Sequence, residues 1–291
     1  MKKLIYFIGF IFMFAACEDV IDVDLETGPP QVVVDAWLTN DPVPQEIKLT
    51  YSQAYLDAAL AQGINDATVQ VVSNNGFTYD FIGQGDGRYV WTPGPGETIG
   101  SPGDNYSLTI EHDGNTYSAT SIMNEVPGID SIFQEFRDDE VFLDDGIYCQ
   151  FFARDLDGIG DTYWIKTFKN DTFLNRATEF NIAYDAAFDS GAEVDGLIFI
   201  TPVREFANET DEDGLPQPWT PGDVIRVEIH SITNASFDYL EVLRDQLLNS
   251  LNGIFAEPLA NPIGNIETTG ELGVLGQFNV AAVSRIEEEI R

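Results

Sequence analysis

Asp155-Leu156-Asp157-Gly158-Ile159-Gly160-Asp161 sets carboxylates at alternate positions and separates them with glycines. Hard cations take ~6–8 oxygen ligands from flexible loops of this kind, so Asp155, Asp157 and Asp161 are the candidate ligands for a calcium ion. The stretch departs from an EF-hand, because Gly158 comes too early and no Glu closes the loop. Asp-Gly is also ordinary turn chemistry between strands. Two histidines are present, His112 beside Asp113-Gly114 and His230 within Val224–Ile232. Neither has the local partners of a Ser-His-Asp triad or a zinc site, and both read as surface or satisfied strand residues. No Gly-rich phosphate loop, GxSxG or HExxH occurs. A glycosidase needs two carboxylates at a set separation, and nothing in so acidic a chain singles out a pair. Cys149, inside Ile147-Tyr148-Cys149-Gln150-Phe151-Phe152, reads as a small buried apolar residue rather than a reactive thiol. The expectation is a protein that is not an enzyme.

Cys17 has a different chemistry. It follows Lys2, Lys3, the uncharged run Leu4 to Phe14, and the small residues Ala15 and Ala16. The apolar run is too short to cross a hydrocarbon core, which takes ~20 helical residues, so residues 1–16 read as a secretory leader. An ordinary leader has no use for the cysteine. Phe14-Ala15-Ala16-Cys17 resembles the lipobox of bacterial lipoproteins, which makes Cys17 the expected lipidation site. Each buried acyl methylene contributes ~0.8 kcal/mol, so several chains anchor firmly where one would not. Glu18 and Asp19 follow, then Asp22, Asp24 and Glu26, an acidic tether over 17–30 that ends in Gly28-Pro29-Pro30. Glu18 and Asp19 resemble the export signal that sends Bacteroidota lipoproteins to the outer face of the outer membrane.

The formal net charge is −35, with 14 basic against 49 acidic residues. Phosphate backbones bind clustered Lys and Arg, so nucleic acid is excluded as a partner. An anionic bilayer surface is disfavoured for the same reason. A hydrophobic content of 44% is too rich for a disordered chain.

The elements that must position these residues are short strands. Candidates in the first half are Val32–Leu38, Glu46–Ser52, Ala67–Ser73, Phe77–Ile82, Arg88–Thr92, Asn105–Glu111 and Thr116–Ser121. Asn75-Gly76 and Asp113-Gly114 predict type I′ hairpin turns. About seven strands in roughly 95 residues match an immunoglobulin-like or fibronectin-like β-sandwich over 31–126. Gln53 to Gln62 reads as a short helical turn closed by Gly63. Pro127-Gly128 marks a boundary, and 127–291 reads as a second β-rich domain. Its candidate strands are Ser131–Arg137, Ile147–Arg154, Tyr163–Lys169, Leu197–Pro202, Val224–Ile232 and Leu275–Val283. Phe237, Leu240, Leu243, Leu247 and Leu251 recur at helical spacing and predict one amphipathic helix near 236–252, capped by Asn234 or Ser236 and stopped by Gly253. The loops 183–194 and 206–221 are the expected interaction surfaces, and Trp91, Tyr106, Trp219 and Tyr184–Phe188 the exposed aromatics.

Cys17 to Leu25, a spacer, then Val32-Val33-Val34-Asp35-Ala36-Trp37-Leu38 resemble the opening of a Bacteroidota lipoprotein family classed as domain of unknown function 4249. The likeness continues through Leu49–Ser52, Val126–Ile132, Asp155–Trp164, Asn261–Ile266 and Gly273–Phe278. Members are commonly encoded beside TonB-dependent transporters. The resemblance implies a surface-exposed accessory subunit of such an outer-membrane β-barrel, serving nutrient uptake, and carries over no catalytic residues. The rival expectations are a structural subunit of another outer-membrane complex, for protein secretion or barrel assembly, and a glycan- or peptide-binding surface protein.

Overall fold

A computed structural model describes residues 28–54, 57, 59–138, 143–190, 193–249 and 261–291. The leader, most of the tether, and Cys17, Glu18 and Asp19 lie outside the described residues. The chain is mostly β, as its alternating patterns predict, and among the described residues one helix is longer than two turns.

Seven strands come first: β1 (Val32–Thr39), β2 (Gln45–Tyr51), β3 (Thr68–Ser73), β4 (Thr78–Gly85), β5 (Arg88–Trp91), β6 (Asn105–His112) and β7 (Asn115–Ile122). After them come β8 (Ile129–Arg137), β9 (Gly146–Ala153), β10 (Thr162–Lys169), β11 (Thr172–Phe173), β12 (Asn181–Tyr184) and the short helix α1 (Thr201–Glu205). The last elements are β13 (Val224–Ile232), the helix α2 (Asn234–Asn249), β14 (Glu267–Thr268), β15 (Val274–Ala281) and β16 (Val283–Glu289).

Nine strands form one sheet in the order β14-β7-β6-β3-β4-β5-β2-β1-β15. Strand β4 pairs with β3 through Phe81, then with β5 across a register shift between Gly83 and Gly85. Period-2 alternation puts Val34, Leu49, Val71, Leu108 and Ile110 on the inward face, where they share one core with Phe278 and Val280. The Val280 amide donates to Ser121 Oγ at 3.1 Å, which ties β15 to β7. Strands β14 and β15 therefore reach back across Pro127-Gly128 to extend the sheet begun at Val32. Val126, beside that boundary, packs against both large cores.

The second sheet runs β11-β10-β13-β16, with β12 also paired to β10. Its inner face carries Tyr163, Ile165, Val227 and Ile229 onto the β8–β9 hairpin and α1. Cys149 sits in this core at 0% exposure, and burial pushes its thiol up to about 12.

Several local expectations change. Asp113 and Gly114 both have positive φ, as a type I′ turn requires. Asn75 does not share the positive φ of Gly76, and the Gly76 amide closes onto the Ser73 carbonyl at 2.9 Å. That connection is a three-residue loop ending in a left-handed glycine. Leu197–Pro202 is not a strand: Ile198 makes one bridge to Arg154, and Pro202 sits in the first turn of α1, where its missing N–H costs nothing. The described residues between Gln53 and Gln62 are not helical, and Gly63 bridges Thr50 instead of closing a helical turn. Thr233, rather than Asn234 or Ser236, caps α2: its Oγ1 accepts from the Ser236 amide at 3.2 Å. Leu251 and Gly253, at the far end of the expected helix, lie outside the described residues. The described residues of 183–194 and 206–221 are not free loops, since Ala183, Ala186, Ala207 and Trp219 are all buried.

Candidate binding cleft

Strand β1 turns Val32, Val34, Ala36 and Leu38 inward, which leaves Val33, Asp35 and Trp37 on its other face. Strand β10 does the same with Tyr163, Ile165 and Thr167, leaving Trp164, Lys166 and Phe168. These two outward faces meet. The rings of Trp37 and Trp164 cross edge-on with centroids 5.2 Å apart. Tyr239 of α2 comes within 6.4 Å of Trp37, and Phe180 within 5.6 Å of Trp164. Between them lies a cleft of ≈ 600 Å³, lined also by Asp35, Lys48, Lys166 and Gln277.

A buried polar joint fixes α2 beside this cleft. Asn279 Oδ1 accepts from the Thr233 amide and the Ser236 hydroxyl, each at 3.0 Å, and Gln277 Nε2 donates to Ser236 Oγ at 2.8 Å. Phe237 and Leu240 then pack with Ile182 and Ile232. Gly276 completes the wall because β1 and β15 run too close for a side chain. A Cβ there would stand 1.9 Å from the Val34 carbonyl oxygen, and its φ of +107° is strained for other residues.

The charges in the cleft are unusual for so acidic a chain. Lys166 Nζ lies 3.8 Å from the Trp164 ring centroid, a cation–π contact. Burial pulls its amine down to about 8, against the opposing pull of Glu228 and Asp35. Lys169 is paired with Glu209 at 3.0 Å, whereas among the described residues Lys48 and Lys166 make no ion pair. Asp35 keeps solvent access by area, yet the walls around it raise its carboxyl above the usual range; Lys48 and Lys166 oppose that rise. Behind Lys166, burial would raise Glu228, but the His230 hydrogen bond and the charges of Arg285 and Arg226 hold it low. His230 Nε2 donates to Glu228 Oε2 at 3.0 Å, and burial holds the imidazole neutral, down to about 4. Glu228 is thus already engaged.

A family model described as a domain of unknown function, DUF4249, matches residues 18–287. The chain belongs to that family. Comparison with curated proteins returns no match. The DUF4249 match spans every residue that lines the cleft.

The metal candidates fare differently. Asp155 uses both oxygens, accepting from the Tyr163 hydroxyl at 2.7 Å and the Gly196 amide at 3.2 Å. Asp157 is exposed. Burial raises Asp161 to about 6, reinforced by Asp155, Asp185, Asp195 and Glu125. Among the described residues no group of three or more His, Cys, Asp or Glu side chains is arranged to hold a metal ion. Asp185 instead organises the loop, its Oδ1 accepting from the amides of Gly160 and Asp161.

His112 is buried, its Nε2 2.8 Å from the Tyr51 hydroxyl and its Nδ1 3.0 Å from Asp66 Oδ1. Of the aromatics expected outside, Tyr106 and Trp219 are core residues, and Trp91 packs edge-on against Tyr79. Sequence reasoning misses the cleft residues Trp37, Trp164, Lys166 and Tyr239. A signal exists: a tryptophan at the outward register of a strand whose alternate residues are all core.

Proposed function

We propose that this DUF4249 chain is a non-catalytic lipoprotein of the outer-membrane surface, anchored through acylated Cys17, and an accessory subunit of a TonB-dependent transporter. The observation that carries the reading is Cys17 itself, placed after a basic and apolar leader and before an acidic tether. Anchoring confines the folded part to the membrane plane, which raises its effective concentration beside a barrel. The point where the tether joins the fold supports this. The Gln31 amide donates to Ser52 Oγ at 3.0 Å, and the Ser52 amide donates back to the Gln31 carbonyl at 2.8 Å. The chain is therefore locked from Gln31 onward, and residues 17–30 can reach at most ~50 Å if fully extended. Pro30 and Gln31 share one hollow with Asp113 and Gly270 to Gly273, so that end of the nine-stranded sheet would face the bilayer. Among the described residues no helix is long and apolar enough to cross a membrane.

Purification from membranes in mild detergent tests the proposal. The expected result is a TonB-dependent barrel that co-purifies with the wild-type chain and is lost with Cys17→Ser. A secretion or assembly barrel in its place would favour the structural-subunit reading. A chain that elutes alone, or a Cys17→Ser variant that still fractionates with membranes, would overturn the proposal.

A further inference from the structure

We propose that the cleft between the two sheets binds a small organic monocarboxylate with a flat apolar body, the carboxylate meeting Lys166 and the body lying against Trp37 and Tyr239. Three observations converge on this ligand class. The first is a cation outside any direct ion pair. Lys166 is drawn onto the Trp164 face and makes no ion pair among the described residues, and the buried carboxylate opposite it on β13, Glu228, is held by His230 and two arginines. A partly desolvated ammonium without a contacting carboxylate is costly, and a ligand carboxylate supplies one.

The second is local charge. Lys48, Lys166 and Asp35 line the cleft together, so the described lining carries a net positive balance of one in a chain of net charge −35. That balance suits a monoanion. Among the described residues no arginine lines the cleft, so the forked donors that favour phosphate are missing from that lining. The third is shape. Trp37, Trp164, Phe180 and Tyr239 give flat apolar walls, and ≈ 600 Å³ falls within the usual range for small-molecule sites.

This proposal does not rest on the transporter reading. Ligand binding is read on purified protein and barrel association in detergent extracts, so each can fail alone. The test is isothermal titration calorimetry of the purified chain with indole-3-acetate, phenylacetate and cyclohexanecarboxylate. Uncharged indole-3-acetamide and inorganic phosphate serve as comparisons. Saturable binding of at least one carboxylate is expected, with indole-3-acetamide and phosphate weaker by roughly tenfold or more, the scale of a lost charge-assisted hydrogen bond. Lys166→Met should weaken the acid by a similar factor and leave the amide unchanged, and Lys166→Arg should restore part of the loss. Trp37→Ala should weaken acid and amide alike. Because Lys166 is half-buried, thermal melting checks that each variant folds, and exposed Lys48→Gln gives a second, milder loss in a safe position. The proposal is overturned if none of the three acids binds at millimolar concentration, if acid and amide bind equally, or if phosphate binds as well as the acids.

Discussion

Lys166 and Glu228 stand opposite each other on β10 and β13, as do Trp164 and His230. Burial acts on Lys166 and His230 in the same sense, disfavouring charge on both. For His230 the folded value is lowered to about 4 from 6.5, so the stability it lends is present above 6.5 and lost as pH falls toward 4. Asp161 runs the other way. Its folded value is raised to about 6 from 3.8, so its contribution is full below 3.8 and lost as pH rises through 6. Asp161→Asn should therefore stabilise the protein at pH 7 by about 1–2 kcal/mol, discounted for its partial exposure, and the gain should vanish below pH 4. Urea unfolding at the two pH values checks this; no gain at pH 7 would remove the case for carboxylate repulsion. Cys149, buried and with its thiol pushed up to about 12, should label with a maleimide only after denaturant is added. At this scale the sequence is informative about Cys149, whose apolar neighbours announce its burial. It is silent about Lys166, because a lysine's partners on other strands leave no local trace.

Strand positions are legible wherever one face is core and the other open, as in β6, where Tyr106, Leu108 and Ile110 alternate with polar residues. They are not legible where both faces are covered. Strand β12 buries Asn181, Ile182 and Ala183 in succession, so no period of two appears. The Asp86-Gly87 turn between β4 and β5 carries a readable signal that pattern reading passes over, since both residues have the positive φ that marks a type I′ hairpin. Gly276 is a sharper test of how the elements fit. Gly276→Ala should cost more than ~2 kcal/mol in thermal unfolding, since the new carbon would meet the Val34 carbonyl and the backbone is strained. A near-neutral result would mean that β1 and β15 do not pair in this register. Thr233→Ala should cost about 1 kcal/mol by uncapping α2. If α2 positions Tyr239 in the cleft, that variant should also weaken carboxylate binding.

The whole molecule is held together by returns of the chain. Ser231 Oγ donates to the Asn124 carbonyl at 2.9 Å, Ser284 Oγ to the Pro127 carbonyl at 2.6 Å, and Arg285 pairs with Asp41. A fragment ending at Val126 would lose β14 and β15, leaving the edges of β1 and β7 unpaired and Phe278 and Val280 missing from the core. It should show no cooperative melting transition, and a sharp one would show that the first seven strands are self-sufficient. No reading of local pattern reveals such closure, because parallel pairing of Val32 with Val274 is a relation between distant residues. It does have a consequence in time. Chain delivery runs from Val32 toward Ala281, so the first sheet keeps an edge open until β15 has arrived. Folding dominated by such distant pairings is slow. During that wait the chain depends on whatever shields its unpaired edge.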